Sequence, residues 1–319
     1  MPRFVAWAFG FVLAAAPASA ASAAPDDQIY TRPGEVVEAD GARLNLYCSG
    51  SGSPTVVFDA GHQDWAPAWA VVQPQVAAWT RACSFDRPGY GFSPAGPMPR
   101  TSERIATEIH DALHKLGIGG PYVLVGHAFG ATDMRTFADL YTGEVQGMVL
   151  VDPDPDPGTP EQLAREHSVF IGQAEEIQRC RDTLADHAPQ PPELACDKRF
   201  FRGFPEPGWS RGLNAALAEA VRTRPDLSDA ANAELEQIPG DEQWLCDHRK
   251  PLGARPIRVI TAAQHKPETI AAQGALLTVS SNAKQIVATH SRSAYVQFDE
   301  PQLVLDAIAE AAGRTEARP

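Results

Sequence analysis

The chain has 319 residues, 44% hydrophobic and 21% charged, which suits a soluble globular protein with one sizeable core and an insertion. Its formal charge of −13 argues against a nucleic-acid partner or an anionic membrane surface, because both attract basic faces.

At the N-terminus, "MPRFVAWAFGFVLAAAPASA" sets an Arg before an apolar stretch that ends in Ala18, Ser19 and Ala20. Residues 1–20 read as a secretory signal peptide, since the apolar stretch is short for a membrane span. No other segment approaches spanning length. The mature protein is therefore expected to be exported, periplasmic or extracellular, with no membrane anchor once the signal is removed. Residues 21–34 form a small, polar lead-in, and the core is expected to begin after it. "EVVEAD" and "ARLNLYC" flank Gly41, which signals a hairpin. "TVVFDAG" and "CSFDRPG" are short apolar runs ending in glycine, and "APAWAVVQPQVAAWTRA" between them has helical spacing.

Export makes disulfides available to the five cysteines. Cys48 closes one strand-like run and Cys83 opens another, so a bridge between neighbouring strands is expected. Cys180 and Cys196 could close a short loop, leaving Cys246 over, but the sequence does not fix how these three pair.

"SERIATEIHDALHKLGI" follows, with Ser102 as the expected N-cap and Ile105, Ile109, Leu113 and Leu116 along one face. Then come the strand "YVLVGH", the helical "TDMRTFADLYTG" and the strand "GMVLVD". Strands alternating with helices predict an α/β fold, a mostly parallel sheet with helices on both faces. After Asp152 the texture changes. Residues 154–249 are polar, helical and proline-interrupted, and read as a helical cap inserted into a core made of residues 35–153 and 250–312. The alternation resumes with "PIRVITAA", the helical "ETIAAQGALLTVSS", "KQIVAT" and "PQLVLDAIAEAA", leaving residues 313–319 as a tail.

Five loop motifs fall in order: "DAGHQDW", "DRPGYGFSP", "VGHAFG", the strand end "VLVD", and the loop before "DEPQLVLDAI". In order and spacing they resemble the α/β-hydrolase superfamily, in its secreted serine esterase-like branch. The resemblance implies an oxyanion loop, a Gly-rich turn, a nucleophile elbow, an acid-bearing strand end and a histidine loop. Gly126 and Gly130 match the elbow's flanking glycines, which relieve crowding at a sharp strand-to-helix turn. The residue presented there is Ala128, where the family carries Ser, Asp or Cys. Counting back from Pro301 to the family's histidine position gives Ala294, followed by Tyr295.

Asp152 matches the position some relatives use for the acid, and binding loop amides is its other expected role. His290 lies four residues before the histidine position, as a candidate substitute base or a strand-end residue. The amides of His62, after Gly61, and of Phe129 match the oxyanion donors, which need no particular side chain. His127, Trp65, Trp69 and Tyr295 are candidates for the pocket wall or for core packing. His62, Asp64, His127 and His290 lie on separate loops without a recognised metal spacing. The resemblance implies hydrolysis of a carboxylic ester or related acyl bond with no cofactor.

Two empty catalytic positions admit three readings. The chain is a natural pseudohydrolase whose pocket or cap binds a small ester or acyl ligand or a protein partner. Or it is an active ester hydrolase with Ser and His deliberately replaced by Ala. Or noncanonical groups carry the chemistry.

Overall fold

The computed structural model describes residues 27–155, 172, 175–180, 182–183, 186 and 206–314. The expected signal peptide, Cys196 and much of the expected cap lie outside them. Eight strands form one sheet: β1 (Glu35–Ala39), β2 (Ala42–Ser49), β3 (Thr55–Asp59), β4 (Ala82–Asp86), β5 (Tyr122–His127), β6 (Val145–Val151), β7 (Pro256–Ala262) and β8 (Asn282–Ala288). Their spatial order is β1-β2-β4-β3-β5-β6-β7-β8. β2 runs antiparallel to β1 and β4, and the remaining pairings are parallel.

The local reasons are legible. Asp40 and Gly41 both take positive φ, 46° and 80°, which is the two-residue hairpin turn that an Asp-Gly pair favours. β3, β4 and β5 are buried at every residue and read as continuous runs, because a parallel strand is covered on both faces. β8 closes the far edge with exposed or half-buried residues, including Lys284, up to buried Ala288 at its end. Cys48 and Cys83 are directly opposed across β2 and β4 and are bridged. Cys180 is also disulfide-bonded.

Helices cover both faces. They are α1 (Gln73–Ala77), α2 (Ser102–Lys115), α3 (Phe129–Leu140), α4 (Arg211–Thr223), α5 (Asp226–Leu235), α6 (Ile238–His248), α7 (Pro267–Gly274), α8 (Val296–Asp299) and α9 (Pro301–Ala311). Among the described residues between β6 and β7 there is no strand. No helix among the described residues is long and apolar enough to cross a membrane.

Two local expectations need correcting. The N-cap of α2 is Thr101, whose Oγ1 accepts the Arg104 amide at 3.2 Å, and Ser102 is the first helical residue. The core also begins earlier than residue 35. Tyr30 is buried, packs edge-on against Tyr47 with ring centroids 5.0 Å apart, and donates to Gln73 Oε1 at 2.8 Å. One tyrosine in a polar segment has no period to betray it.

The strand order places the functional end. After β3 the chain steps outward to β4, then returns past β3 to β5, so the loops after β3 and β5 diverge to opposite faces. They leave a crevice beyond the carboxyl ends of those strands, where open α/β sheets bind ligands.

Candidate active site

β5 ends at His127 and α3 begins at Phe129, so a single residue, Ala128, makes the whole turn. It does so at φ 46° and ψ −117°, a conformation L-residues rarely adopt and one that costs about 1–3 kcal/mol. The turn is held from both sides. Ala128 donates its amide to Val151 O at 3.1 Å and accepts the Ala131 amide at 2.9 Å.

The flanking glycines permit the close approach. A methyl on Gly126 would lie 2.4 Å from Gly130 O, and one on Gly130 would lie 2.4 Å from Ala60 O and 2.7 Å from Asp59 O. Backbone cannot yield to such contacts, so α3 meets the loop after β3 only because these positions lack Cβ. A methyl on Gly61 would meet His127 Nδ1 at 2.9 Å and Ala128 Cβ at 3.5 Å. The loop carrying the His62 amide therefore lies directly against the turn. Neither the His62 nor the Phe129 amide donates a backbone hydrogen bond among the described residues.

Ala294 also reaches this point, since its carbonyl accepts from His127 Nε2 at 3.2 Å. Tyr295 packs on the His127 ring with centroids 4.8 Å apart and stacks on Phe298 at 5.5 Å. Burial pushes His127 down to about 4, against smaller opposing effects of the Asp152 charge and the Ala294 carbonyl, so its ring is neutral at neutral pH. The sequence candidates Gly61, His62, His127, Ala128, Phe129, Ala294 and Tyr295 are thus brought to one place. Trp65 and Trp69 belong to the core: Trp65 stacks on Tyr90 and Trp69 packs on Phe58.

Asp152 follows β6, next to the turn, and is buried. Its Oδ1 accepts from the Ala262 amide at 3.2 Å and from Gln273 Nε2 at 3.2 Å. His265 Nε2 contacts both of its oxygens, at 2.9 and 2.8 Å. The amide it binds is that of Ala262, the last residue of β7, and not one in the Pro-Asp loop that follows Asp152. His265 and Gln273 were not anticipated, because they follow β7 and nothing local marks them as partners of a residue more than a hundred positions earlier.

His290, the candidate substitute base, and the two serines beside it are engaged elsewhere. His290 is exposed and donates its amide to Glu300 Oε1 at 2.7 Å. Ser291 and Ser293 donate to Asp299 Oδ2 at 3.1 and 2.9 Å, so Asp299 shapes the loop that presents Ala294.

Behind the loop after β3 lies a buried charge cluster that sequence reasoning missed. Arg87, 1% exposed, donates to Asp59 Oδ1 at 2.7 Å and to Glu234 Oε1 at 2.6 Å. It also donates to the carbonyls of Ala60 and Gly61 at 2.6 and 2.8 Å, and its guanidinium lies 5.5 Å from the Phe129 ring centre. Glu234 comes from α5, whose Ala231 carbonyl accepts from His62 Nε2 at 2.8 Å. One cation thus fixes the backbone that leads into the candidate oxyanion amide of His62 and ties it to α5. Asp133 is pushed well above the usual carboxylate range by burial and by the Asp59 charge, which favours its neutral form beside the cluster. The "DRPG" motif marked Arg87, but its partner Glu234 carried no signal.

The comparisons with known proteins agree with this architecture. A family model described as alpha/beta hydrolase fold matches residues 54–173. YbdG of Bacillus subtilis is 30% identical over 121 residues, 37% of this chain and 37% of its own length. The Schizosaccharomyces pombe protein C23C11.06c is 30% identical over 156 residues, 40% of this chain and 29% of its own. The chain therefore matches only about a third of the length of these curated relatives. Among solved structures, a malate-bound esterase of Thermogutta terrifontis superposes with a TM-score of 0.63 at 19% identity, covering 86% of this chain and 97% of that one. The epoxide hydrolase CorEH gives 0.66 at 16%, covering 86% and 96%. The enol-lactonase of Burkholderia xenovorans LB400 gives 0.64 at 15%, covering 88% and 100%. The protein has the α/β-hydrolase fold.

Proposed function

We propose that this is an exported protein derived from a serine hydrolase of esters or related acyl bonds, silent as written because Ala128 and Ala294 occupy the nucleophile and base positions. In this reading residues 1–20 are the export signal and residues 154–249 the cap over the pocket, which keeps an ester or acyl ligand as its occupant. The observation that carries the proposal is Ala128 itself. A small apolar residue gains nothing from a strained φ of 46°, whereas a nucleophile gains exposure at the top of the sheet. The backbone of the elbow persists where its chemistry does not.

The surrounding geometry supports the same reading. A hydroxyl at position 128 would stand at the start of α3, and a tetrahedral oxyanion beside it would face the amides of His62 and Phe129. An imidazole at position 294 would enter beside His127, whose hydrogen bond to the Ala294 carbonyl already anchors that loop. The named solved structures include an esterase and an enol-lactonase, which fits an acyl ligand. No cofactor is needed for such chemistry.

The test is reversion. The chain as written is expected to resist fluorophosphonate labelling and to show no turnover on short acyl esters. Ala128→Ser alone should recover little, because its proton lacks an acceptor, whereas Ala128→Ser with Ala294→His should gain labelling far beyond the sum of the single changes. A folded double variant that stays unlabelled would sink the proposal.

A second reading, hydrolysis through other groups, has one observation in its favour: His265 is held by both oxygens of buried Asp152, an acid–base pair to which no serine is hydrogen-bonded among the described residues. Saturable turnover by the unaltered chain that disappears in Asp152→Ala and His265→Ala would establish it.

A further inference from the structure

We propose that His110, His114 and Glu144 form a binding site for a divalent transition-metal ion of the zinc class, separate from the candidate active site. His110 and His114 are four residues apart on α2, so both rings project from one helix face. Their centroids are 4.2 Å apart. Glu144 enters from the chain just before β6 and divides its carboxylate between them, Oε1 lying 2.9 Å from His110 Nε2 and Oε2 2.9 Å from His114 Nε2. One ligand atom from each of the three residues lies within 4.8 Å of the others. Two atoms bound to a common tetrahedral zinc at about 2.0–2.1 Å sit roughly 3.3 Å apart, so the two Glu144–His contacts at 2.9 Å would open by a few tenths of an ångström, and a pair as wide as 4.8 Å would close by about 1.5 Å.

The ligands are also held in place. The His110 ring stacks on Tyr141 at 3.7 Å, nearly parallel, and lies 5.7 Å from Phe137. Tyr141 and Glu144 belong to one turn, closed by the Glu144 amide on the Tyr141 carbonyl at 2.9 Å. The aromatic that orients one histidine and the carboxylate that faces both therefore move together. The nearby cation is directed away, with Lys115 on Asp111 and on the Glu38 carbonyl.

Two imidazole nitrogens and one carboxylate suit a borderline ion such as zinc, whereas calcium and magnesium take oxygen ligands. Water would complete the coordination. β6 runs from beside Glu144 to beside Asp152, a span of roughly 25 Å at about 3.3 Å per residue, so the ion would not reach the elbow. It would instead join α2 to the α3–β6 connection and stabilise the folded chain by binding it in preference to the unfolded one.

The full-length exported chain, stripped with chelator, would be titrated calorimetrically with Zn2+ and followed by thermal unfolding. One ion per chain and a raised Tm are expected, with no such response to Mg2+ or Ca2+. Co2+ should give the visible spectrum of a four-coordinate nitrogen and oxygen site. His114→Ala, at a largely exposed ring, and Glu144→Gln should each weaken binding by about 100-fold or more and abolish that spectrum. Circular dichroism of both variants checks that the fold is intact. Absence of zinc binding, or binding unchanged in both variants, would overturn the proposal.

Discussion

Replacing Arg87 by Met keeps most of the side-chain volume and removes the only opposite charge that contacts Asp59 and Glu234 directly among the described residues. Both carboxylates stay buried, at 0% and 1% exposure, and the carbonyls of Ala60 and Gly61 lose a donor. Removing one partner of a buried ion pair costs about 3–5 kcal/mol. Against a total stability of roughly 5–15 kcal/mol, this is a large fraction.

The loss should depend on pH. Burial already pushes the Asp59 carboxyl up and the Arg87 charge opposes this, so without the guanidinium Asp59 is driven further towards its protonated form, and the folded variant binds more protons than its unfolded chain and regains stability as pH falls. Urea unfolding followed by tryptophan fluorescence, at pH 5 and pH 8, should therefore show the larger deficit at pH 8. Adding Glu234→Leu should restore part of the loss, because one stranded charge is gone and the two changes are coupled. A deficit below about 1 kcal/mol, or one equal at both pH values, would mean that the cluster is not the electrostatic anchor its geometry implies.

Three further outcomes are expected. Gly130→Ala forces a methyl into the backbone of residues 59 and 60 and should lower stability by about 1–3 kcal/mol or more, read as a drop in urea midpoint; an unchanged midpoint would refute the contact. Replacing Cys48 and Cys83 together by Ala should cost about 2–4 kcal/mol, and thiol counting on the unaltered chain should find neither cysteine reactive. Asp241 is raised to about 7, chiefly by burial. A carboxyl whose folded pKa lies above its unfolded value stabilises at low pH, and that contribution is lost as pH rises from about 4 to 7. Asp241→Asn should therefore lose less stability than the unaltered chain between pH 5 and pH 8, and equal slopes would count against the assignment.

The sequence by itself determined the sheet and the position of the elbow. Strands buried on both faces must be continuously apolar, an Asp-Gly pair must turn a hairpin, and a glycine on each side of a strand-to-helix corner must admit the neighbouring backbone. Each of these constraints acts within a few residues, so each leaves a local pattern. The pairing of Cys48 with Cys83 was legible for a related reason, since both fall on strand-like runs whose neighbourhood the alternation of elements already suggested.

What the tertiary structure decided is which polar groups meet. Asp152 shares its oxygens with His265 and Gln273, Arg87 finds Glu234 on α5, and Glu144 reaches two histidines on α2. A buried charge must be matched by whatever the fold brings within about 3 Å, and separation along the chain places no limit on that choice. No period or turn residue announces such a partner. The strand order placed Asp152 beside the end of β7, and that step, more than any motif, put His265 on the acid.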